Sequence, residues 1–371
     1  MKIVVIGTRG IPDIMGGVES HCEELFPRIA AMGHDVTVIR RSAYVDRTPD
    51  LKEYKGVKLV DVYSPRSKSL EAVVHTFLAV IKARRLNPDI LHIHAIGPSM
   101  MAPLARLLGM KVVMTNHGPD YDRNKWGFLA KNVLKFSERL GTMFSNKVIV
   151  ISKVIANILK DKYGRTDTEL IFNGVNRPTP TADRSYLRSL GITDDEKYIL
   201  GMGRFVEEKG FHDLVEAYRK LGDRAKGYRL VLAGDADYKD EYSERLKQMV
   251  RDAGGILTGF IKGEKLHQVM SGASLYVMPS YHEGLPIALL EAMSYDLDIV
   301  VSDIPANKLD CIDPSFFFPT ANVDALADKI ADKIVQGTPR RTYDLSPFNW
   351  DTIAGQTVAV YEQMLKTNNQ D

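Results

Sequence analysis

The stretch Ser274-Leu-Tyr-Val-Met278-Pro-Ser-Tyr-His-Glu283-Gly-Leu-Pro286-Ile-Ala-Leu-Leu-Glu291-Ala-Met-Ser294 decides how the chain is read. Ser274–Met278 reads as a strand, Pro279–Glu283 as a loop and Pro286–Ser294 as a helix. Pro286 suits the first helical position, where no backbone donor is lost. The amides of Gly284 and Leu285 lie just before that helix, where N–H groups and the helix dipole favour an anion such as phosphate. Gly284 lets backbone come close to a ligand. Glu291 falls five residues into the helix, roughly 7.5 Å along its axis. A carboxylate there accepts hydrogen bonds but repels phosphate, so it fits a ribose diol. Two carboxylates eight apart are common. The strand–loop–Glu–Gly–Leu–Pro–helix–Glu order is what distinguishes this pair from a solvated loop glutamate and a surface helix glutamate.

Outward from this unit the same alternation recurs. Lys2–Ile6, Asp35–Ile39, Val57–Val62, Ile90–Ile93, Lys111–Thr115 and Lys147–Ile151 are nearly continuous apolar runs, each followed by a longer amphipathic segment or a turn. Continuous runs predict strands buried on both faces, hence a mostly parallel sheet with helices on each side. The pattern restarts at Tyr198-Ile-Leu-Gly-Met-Gly203 and continues through Arg229–Ala233, Ser274–Met278 and Asp298–Val301. Between the halves, Asn173-Gly-Val-Asn-Arg-Pro-Thr-Pro180 reads as a linker. The expectation is an α/β chain of two Rossmann-like, doubly wound domains, 1–172 and 181–345, facing across a cleft, with 173–180 as the linker. Residues 346–371 contribute a helix, Trp350–Lys366, expected to pack back across the domain boundary on Ile353, Val358, Tyr361 and Leu365. Ligands in such sheets bind beyond the carboxyl ends of the strands.

Composition agrees with a globular enzyme-sized chain. Its 371 residues are 44% hydrophobic and 26% charged, which excludes a disordered or fibrous class. Cys22 and Cys311 fall in different halves, so a reducing, cytosolic setting is expected. The apolar run after Met1 is too short for a signal peptide, and no stretch approaches the roughly 18 apolar residues of a spanning helix. Residues 1–172 hold 26 Lys and Arg against 17 Asp and Glu, whereas the remainder holds 23 against 30. A basic first half facing phospholipid headgroups, a phosphorylated acceptor or nucleic acid would give this split, as would uneven surface charge with no partner.

Further motifs sit at predicted strand ends. Gly201-Met-Gly-Arg204-Phe-Val-Glu-Glu-Lys209-Gly210 places two cations ahead of the helix 211–221, a diphosphate clamp unless Glu207 and Glu208 pair with them. The first turn, Gly7 to Gly17, lacks Gly-x-Gly-x-x-Gly, and Gly16-Gly17 opens the next helix. His117 ends the strand 111–115 within a polar stretch, where it could orient a sugar hydroxyl or share a proton. His92 and His94 share one strand face, where a metal site is conceivable, but no cysteine, histidine or carboxylate cluster completes it and the pair reads as packing. Asp235-Ala-Asp237 is a weak metal pattern. The segment 125–146 carries Trp126, Phe128, Leu129, Leu134, Phe136 and Leu140 among Lys125, Lys131, Lys135 and Arg139. That is an amphipathic core helix or one lying on an anionic membrane surface.

Taken together, the Gly16-Gly17 loop, His117-Gly, Asn173-Gly-Val, Gly203-Arg-Phe…Lys209-Gly and Glu283–Glu291 resemble the retaining GT-B glycosyltransferases of family 4 over nearly the whole chain. The stretches 8–19 and 117–127 are similar to a bacterial subgroup that includes rhamnosyltransferases of cell-surface polysaccharide. The resemblance implies a nucleoside-diphosphate sugar donor, a glycan or lipid-linked acceptor, no metal, no other cofactor and no nucleic acid. By the same resemblance, Arg204 and Lys209 neutralise the diphosphate, Gly16 and Gly17 cover it, and Glu291 binds ribose. Glu283, Gly284 and Leu285 lie near the donor sugar, His117 lies beside the sugar or its phosphate, and Ile261 lies in the base-contacting loop. Pro119, Asp120 and Tyr121 depart from the commonest His-Gly stretch, which leaves donor and acceptor open. Rival readings are a sugar-nucleotide epimerase, a nicotinamide oxidoreductase, disfavoured by the missing glycine fingerprint, and a non-catalytic sugar-nucleotide sensor.

Overall fold

The computed structural model describes residues 1–45, 50–65, 71–119, 121, 127–236 and 239–366. The chain forms two compact units, one of Met1–Gly174 with Pro347–Asp371, the other of Val175–Ser346.

In the first unit the strands are β1 (Lys2–Ile6), β2 (Asp35–Arg41), β3 (Glu53–Tyr54), β4 (Val57–Val62), β5 (Ile90–His94), β6 (Val112–Asn116), β7 (Lys147–Val150) and β8 (Thr168–Leu170). They are ordered β3-β4-β2-β1-β5-β6-β7-β8. Every pairing is parallel except β3 with β4, a short antiparallel edge. The helices are α1 (Gly17–Ala31), α2 (Glu71–Leu86), α3 (Ala102–Leu107), α4 (Phe128–Phe144) and α5 (Lys153–Tyr163). The continuous apolar runs have a direct cause. In β1, Ile3 and Val5 face the core under Cys22, Leu25, Phe26 and Ile29 of α1, while Val4 and Ile6 face the core under Ala79, Val80 and Ala83 of α2. Burying each such side chain stabilises the fold by about 1.5–3 kcal/mol. Both cysteines are free thiols, Cys22 within this core and Cys311 in the second unit.

The second unit repeats the plan with β9 (Lys197–Met202), β10 (Tyr228–Ala233), β11 (Ile256–Gly259), β12 (Leu275–Met278), β13 (Asp298–Ser302) and β14 (Phe317–Phe318). Their order is β11-β10-β9-β12-β13-β14, all parallel. Its helices are α6 (Ser185–Ser189), α7 (Phe211–Leu221), α8 (Glu241–Asp252), α9 (Gly263–Gly272), α10 (Ile287–Ser294) and α11 (Val323–Val335). Chain order changes direction beside β9, whose neighbours β10 and β12 carry the strand series to opposite edges. In a doubly wound sheet that switch point is where loops diverge and leave room for a ligand.

One sequence-based boundary differs, and the final helix packs back on the first unit as expected. Asn173 and Gly174, read as the start of a linker, are built into the first unit. Asn173 is buried, and a Cβ on Gly174 would overlap the Trp350 ring. The final helix, α12 (Trp350–Lys366), belongs to the first unit and packs on α1. Its buried stripe is Trp350, Ile353, Ala354, Thr357, Val360, Tyr361 and Met364, while the expected Val358 and Leu365 are only partly buried. Within this stripe the Tyr361 hydroxyl lies 2.6 Å from His92 Nδ1.

Helix α4 corrects the core-packing expectation. Its buried face is small and polar, namely Ser137, Glu138, Gly141 and Thr142. Gly141 lies so close to Ser99 that a Cβ there would overlap it. Leu134 packs on Ile96, Met114 and Tyr121, whereas Phe128, Leu129, Phe136 and Met143 are 85%, 78%, 57% and 55% exposed. Trp126 and Lys125 lie outside the described residues.

Candidate active site

In the second unit the candidate residues are organised by two loops at the switch point. The loop after β9 runs through Gly203, Arg204 and a short 3-10 turn over Glu207–Lys209, ending at Gly210 in the left-handed conformation (φ 63°). A Cβ on Gly210 would collide with the Pro279 carbonyl oxygen. Glycine is therefore required for the two loops to touch, and Tyr281 N donates to Glu208 O at 2.8 Å across the contact. This contact delivers Lys209 Nζ to Glu283 Oε1 at 2.5 Å, and Ser280 Oγ donates to the same oxygen at 2.7 Å. Lys209 thus pairs with Glu283, not with Glu207 or Glu208, in a pair whose side chains are 19% and 10% exposed.

The structure also corrects the start of α10. Pro286 is its N-cap, with extended backbone (φ −77°, ψ 113°), and the helix begins at Ile287. Gly284 and Leu285 precede the cap, with Leu285 buried. Glu291 sits partly buried in the second turn. The two carboxylates converge on Tyr276 of β12. Burial, then the charges of Glu283 and Glu291, push its hydroxyl pKa well up. That hydroxyl has no hydrogen-bond partner among the described residues. Arg204 lies partly buried beside Gly203. Ile261 follows β11 and is partly buried, next to Phe260 at 41% exposure. Asp235 is engaged by Lys247 at 2.8 Å, so it is not an open metal ligand, and Asp237 lies outside the described residues.

Composition and spacing did not single out the supports of these residues. Tyr281 Oη donates to Asp213 Oδ2 at 2.6 Å and lies 2.9 Å from His212 Nε2, and His212 Nδ1 lies 3.0 Å from Tyr242 Oη. This network pins the loop that carries Glu283 onto α7.

The candidate residues of the first unit are of a different kind. His117 follows β6 directly, and its Nε2 lies 3.0 Å from His94 Nδ1. His21 of α1 meets His117 edge-on, with ring centroids 4.9 Å apart, and its Nδ1 is 2.9 Å from Asn173 Oδ1. His92 stacks on His94 at 4.2 Å and is itself satisfied, by Tyr361 Oη at 2.6 Å and Thr115 Oγ1 at 2.7 Å. The packing role read for His92 therefore holds, whereas His94 joins a histidine cluster that sequence spacing had not revealed. Burial depresses all four imidazoles. His21 falls to about 4 and His92 to about 3, while His94 and His117 lie well below their usual value, with neighbouring imidazoles adding to the effect. These rings are neutral near pH 7, so His117 acts there as a neutral hydrogen-bonding group.

Around this nest the backbone is held by buried carboxylates. Glu19 of α1 accepts from Arg9 N at 2.9 Å, and a Cβ on Gly16 would strike the Glu19 carboxylate. Gly16 is the N-cap of α1 at φ 147°, while Gly17 faces open space. Arg9 donates to Met15 O at 3.2 Å and covers the Tyr44 ring, which gives it a structural task in the same loop. Glu138 of α4 accepts from Asn116 at 3.0 Å and from Tyr121 and Tyr163 at 2.9 Å each, tying the His117 loop to α4 and α5. Asp120 lies outside the described residues.

Comparison with known proteins fits this arrangement. Residues 15–177 match the family described as Glycosyltransferase Family 4, and residues 183–343 match Glycosyl transferases group 1. An uncharacterized glycosyltransferase of Methanocaldococcus jannaschii is 28% identical, covering 98% of each chain. A candidate teichuronic acid biosynthesis glycosyltransferase of Bacillus subtilis is 25% identical over 74% of this chain and 73% of its own. Among solved structures, sucrose-phosphate synthase from Thermosynechococcus elongatus superposes with a TM-score of 0.81 at 22% identity, covering 98% and 99% of the two chains. Anabaena HepE, in complex with UDP and glucose, gives 0.73 at 19% identity, covering 100% and 99%. With a family 4 domain on one parallel sheet and a group 1 domain on the other, the chain is a glycosyltransferase of the GT-B type.

Proposed function

We propose that the protein transfers a hexosyl-type sugar, with retention, from a nucleoside-diphosphate donor to a hydroxyl of a glycan or lipid-linked acceptor in surface-polysaccharide assembly. The observation that carries this reading is the Lys209–Glu283–Ser280 lock at the switch point, with Glu291 one turn further on. It is a cation held in place by a carboxylate, ahead of two helix N-termini, which is what a departing diphosphate requires. In this reading Lys209 and Arg204 stabilise the leaving diphosphate, and the amide region of Gly284 and Leu285 adds backbone polarity. Glu291 receives the ribose hydroxyls, Ile261 lies by the base, and Gly16 and Gly17 allow close approach to phosphate. The bond from sugar C1 to the diphosphate oxygen breaks as the acceptor oxygen bonds C1, and the acceptor proton leaves on the diphosphate. His117 donates or accepts a hydrogen bond at the sugar as a neutral ring. No metal or other cofactor takes part.

The relative in teichuronic acid biosynthesis supports the surface-polysaccharide setting. The outward apolar face of α4, flanked by exposed Lys135 and Arg139, supports peripheral contact with an anionic inner membrane surface from the cytoplasmic side. Among the described residues no helix is long and apolar enough to cross a membrane. A thermal-shift panel of UDP-, GDP-, ADP- and dTDP-sugars, rhamnose donors included, followed by product analysis with the best binder, tests the proposal. Stabilisation by NAD alone would favour the oxidoreductase reading, and donor conversion without acceptor would favour the epimerase.

A further inference from the structure

We propose that His21, His94 and His117 form a binding site for a divalent transition-metal ion of the zinc type, and that filling it withdraws His117 from the sugar. The second clause rests on the function proposed above, and the first does not.

The three ring centroids already stand near the spacing a shared ion requires, and the ligand nitrogens would draw together on capture. In a tetrahedral site a Zn–N distance of about 2.0–2.1 Å puts ligand nitrogens roughly 3.4 Å apart and ring centroids about 5 Å apart. Here the centroid separations are 4.9 Å for His21–His117, 5.3 Å for His94–His117 and 5.6 Å for His21–His94. One ligand atom from each lies within 4.8 Å of the others, and the His94–His117 nitrogen pair is at 3.0 Å. A hydrogen bond accounts for that pair, and Asn173 holds His21 beside it.

Protonation favours capture. An amide oxygen only accepts, so Asn173 Oδ1 fixes the proton of His21 on Nδ1 and leaves Nε2 as a lone pair. An outer partner on the far nitrogen is the usual way a metal-binding imidazole is oriented. His92 is excluded, because both its nitrogens are engaged. The cluster contains no carboxylate, so its donors suit zinc, copper, nickel or cobalt over magnesium or calcium. It also carries no buried negative charge that would make the metal-free state costly. Capture through Nδ1 would move the His94 proton to Nε2, a buried atom with no partner among the described residues. Affinity should therefore fall below that of a four-ligand structural site. His117 is the partly exposed member and offers the route of entry, with the fourth position left for water.

The test is titration of chelator-treated full-length protein with Zn²⁺ by calorimetry and with Co²⁺ by visible absorption, which reports tetrahedral nitrogen ligation. One saturating equivalent is expected, weakened at least tenfold in His21→Gln and His117→Gln and unchanged in His34→Gln, with Mg²⁺ inert. Absence of saturable binding, or equal affinity in His117→Gln, would overturn the site. His117 is partly exposed, so that variant remains decisive if the buried replacement does not fold. Sugar transfer is then assayed with and without one equivalent of Zn²⁺. Site binding with undiminished transfer would sink the second clause alone. Absence of transfer under any condition would count against the proposed function and leave the metal result standing.

Discussion

The two units place opposite electrostatics at comparable positions on related sheets. Beyond the β6 end of the first unit lies a nest of buried imidazoles kept neutral by burial. Beyond the β9 and β12 ends of the second lies a charged pair, Lys209–Glu283, held by two loops that meet over Gly210. In the function proposed above, the difference is a division of labour. Neutral rings orient hydroxyls without attracting phosphate, whereas a fixed cation stabilises negative charge as it develops.

Breaking the charged side should cost most. Lys209→Ala is expected to lower kcat/KM for the matched donor by about 10²–10³-fold, the effect of removing one donor aimed at a transition-state charge. A loss under threefold would mean the lysine only holds Glu283.

Acid should separate the two sides next. His21 titrates near 6.5 when unfolded and at about 4 when folded. Its contribution is complete above the unfolded value and is lost as pH falls through the folded one, on the order of 3 kcal/mol. His92, His94 and His117 shift in the same direction. Hydrogen exchange between pH 7 and pH 5 should show protection falling in peptides from β5 and β6 while those from β9 and β12 hold. Uniform loss in both units would contradict the comparison.

Smaller effects sharpen it. Glu291→Ala should weaken nucleotide binding by about ten- to a hundredfold, as for a lost hydrogen bond to a charged group, with little change in melting temperature. Unchanged nucleotide affinity in calorimetry would remove the ribose assignment. Phe136→Ser on α4 should alter stability by about 0.5 kcal/mol or less, because the ring is 57% exposed. The same variant should reduce sedimentation with anionic vesicles, and an unaltered bound fraction would argue against membrane contact through this face.

The sheets were legible because their strands are buried on both faces and therefore read as continuous apolar runs. The short edge strands β8 and β11 were not, since Thr168–Leu170 and Ile256–Gly259 are brief and only partly buried. Glu283 and Glu291 were legible through their local strand–loop–helix context. His21 was not, because it lies mid-helix, and its neighbours His94, His117 and Asn173 are far away in sequence. Glu138 was hidden for the same reason. In a helix rich in cations and aromatics nothing local marks one carboxylate as the buried hub of three hydrogen bonds. The outward apolar face of α4 was ambiguous because periodicity defines a stripe without saying which way it points.

The place of α12 bears on how the chain is born. The ribosome delivers residues 1–174 early, yet Trp350, Ile353 and Tyr361 complete the core over β1, β5 and α1. Until they emerge, the Gly174 surface that receives Trp350 and the Nδ1 of His92 lack their partners. The first unit is therefore translated first and finished last, so released chains truncated before residue 350 should expose its apolar underside to chaperones.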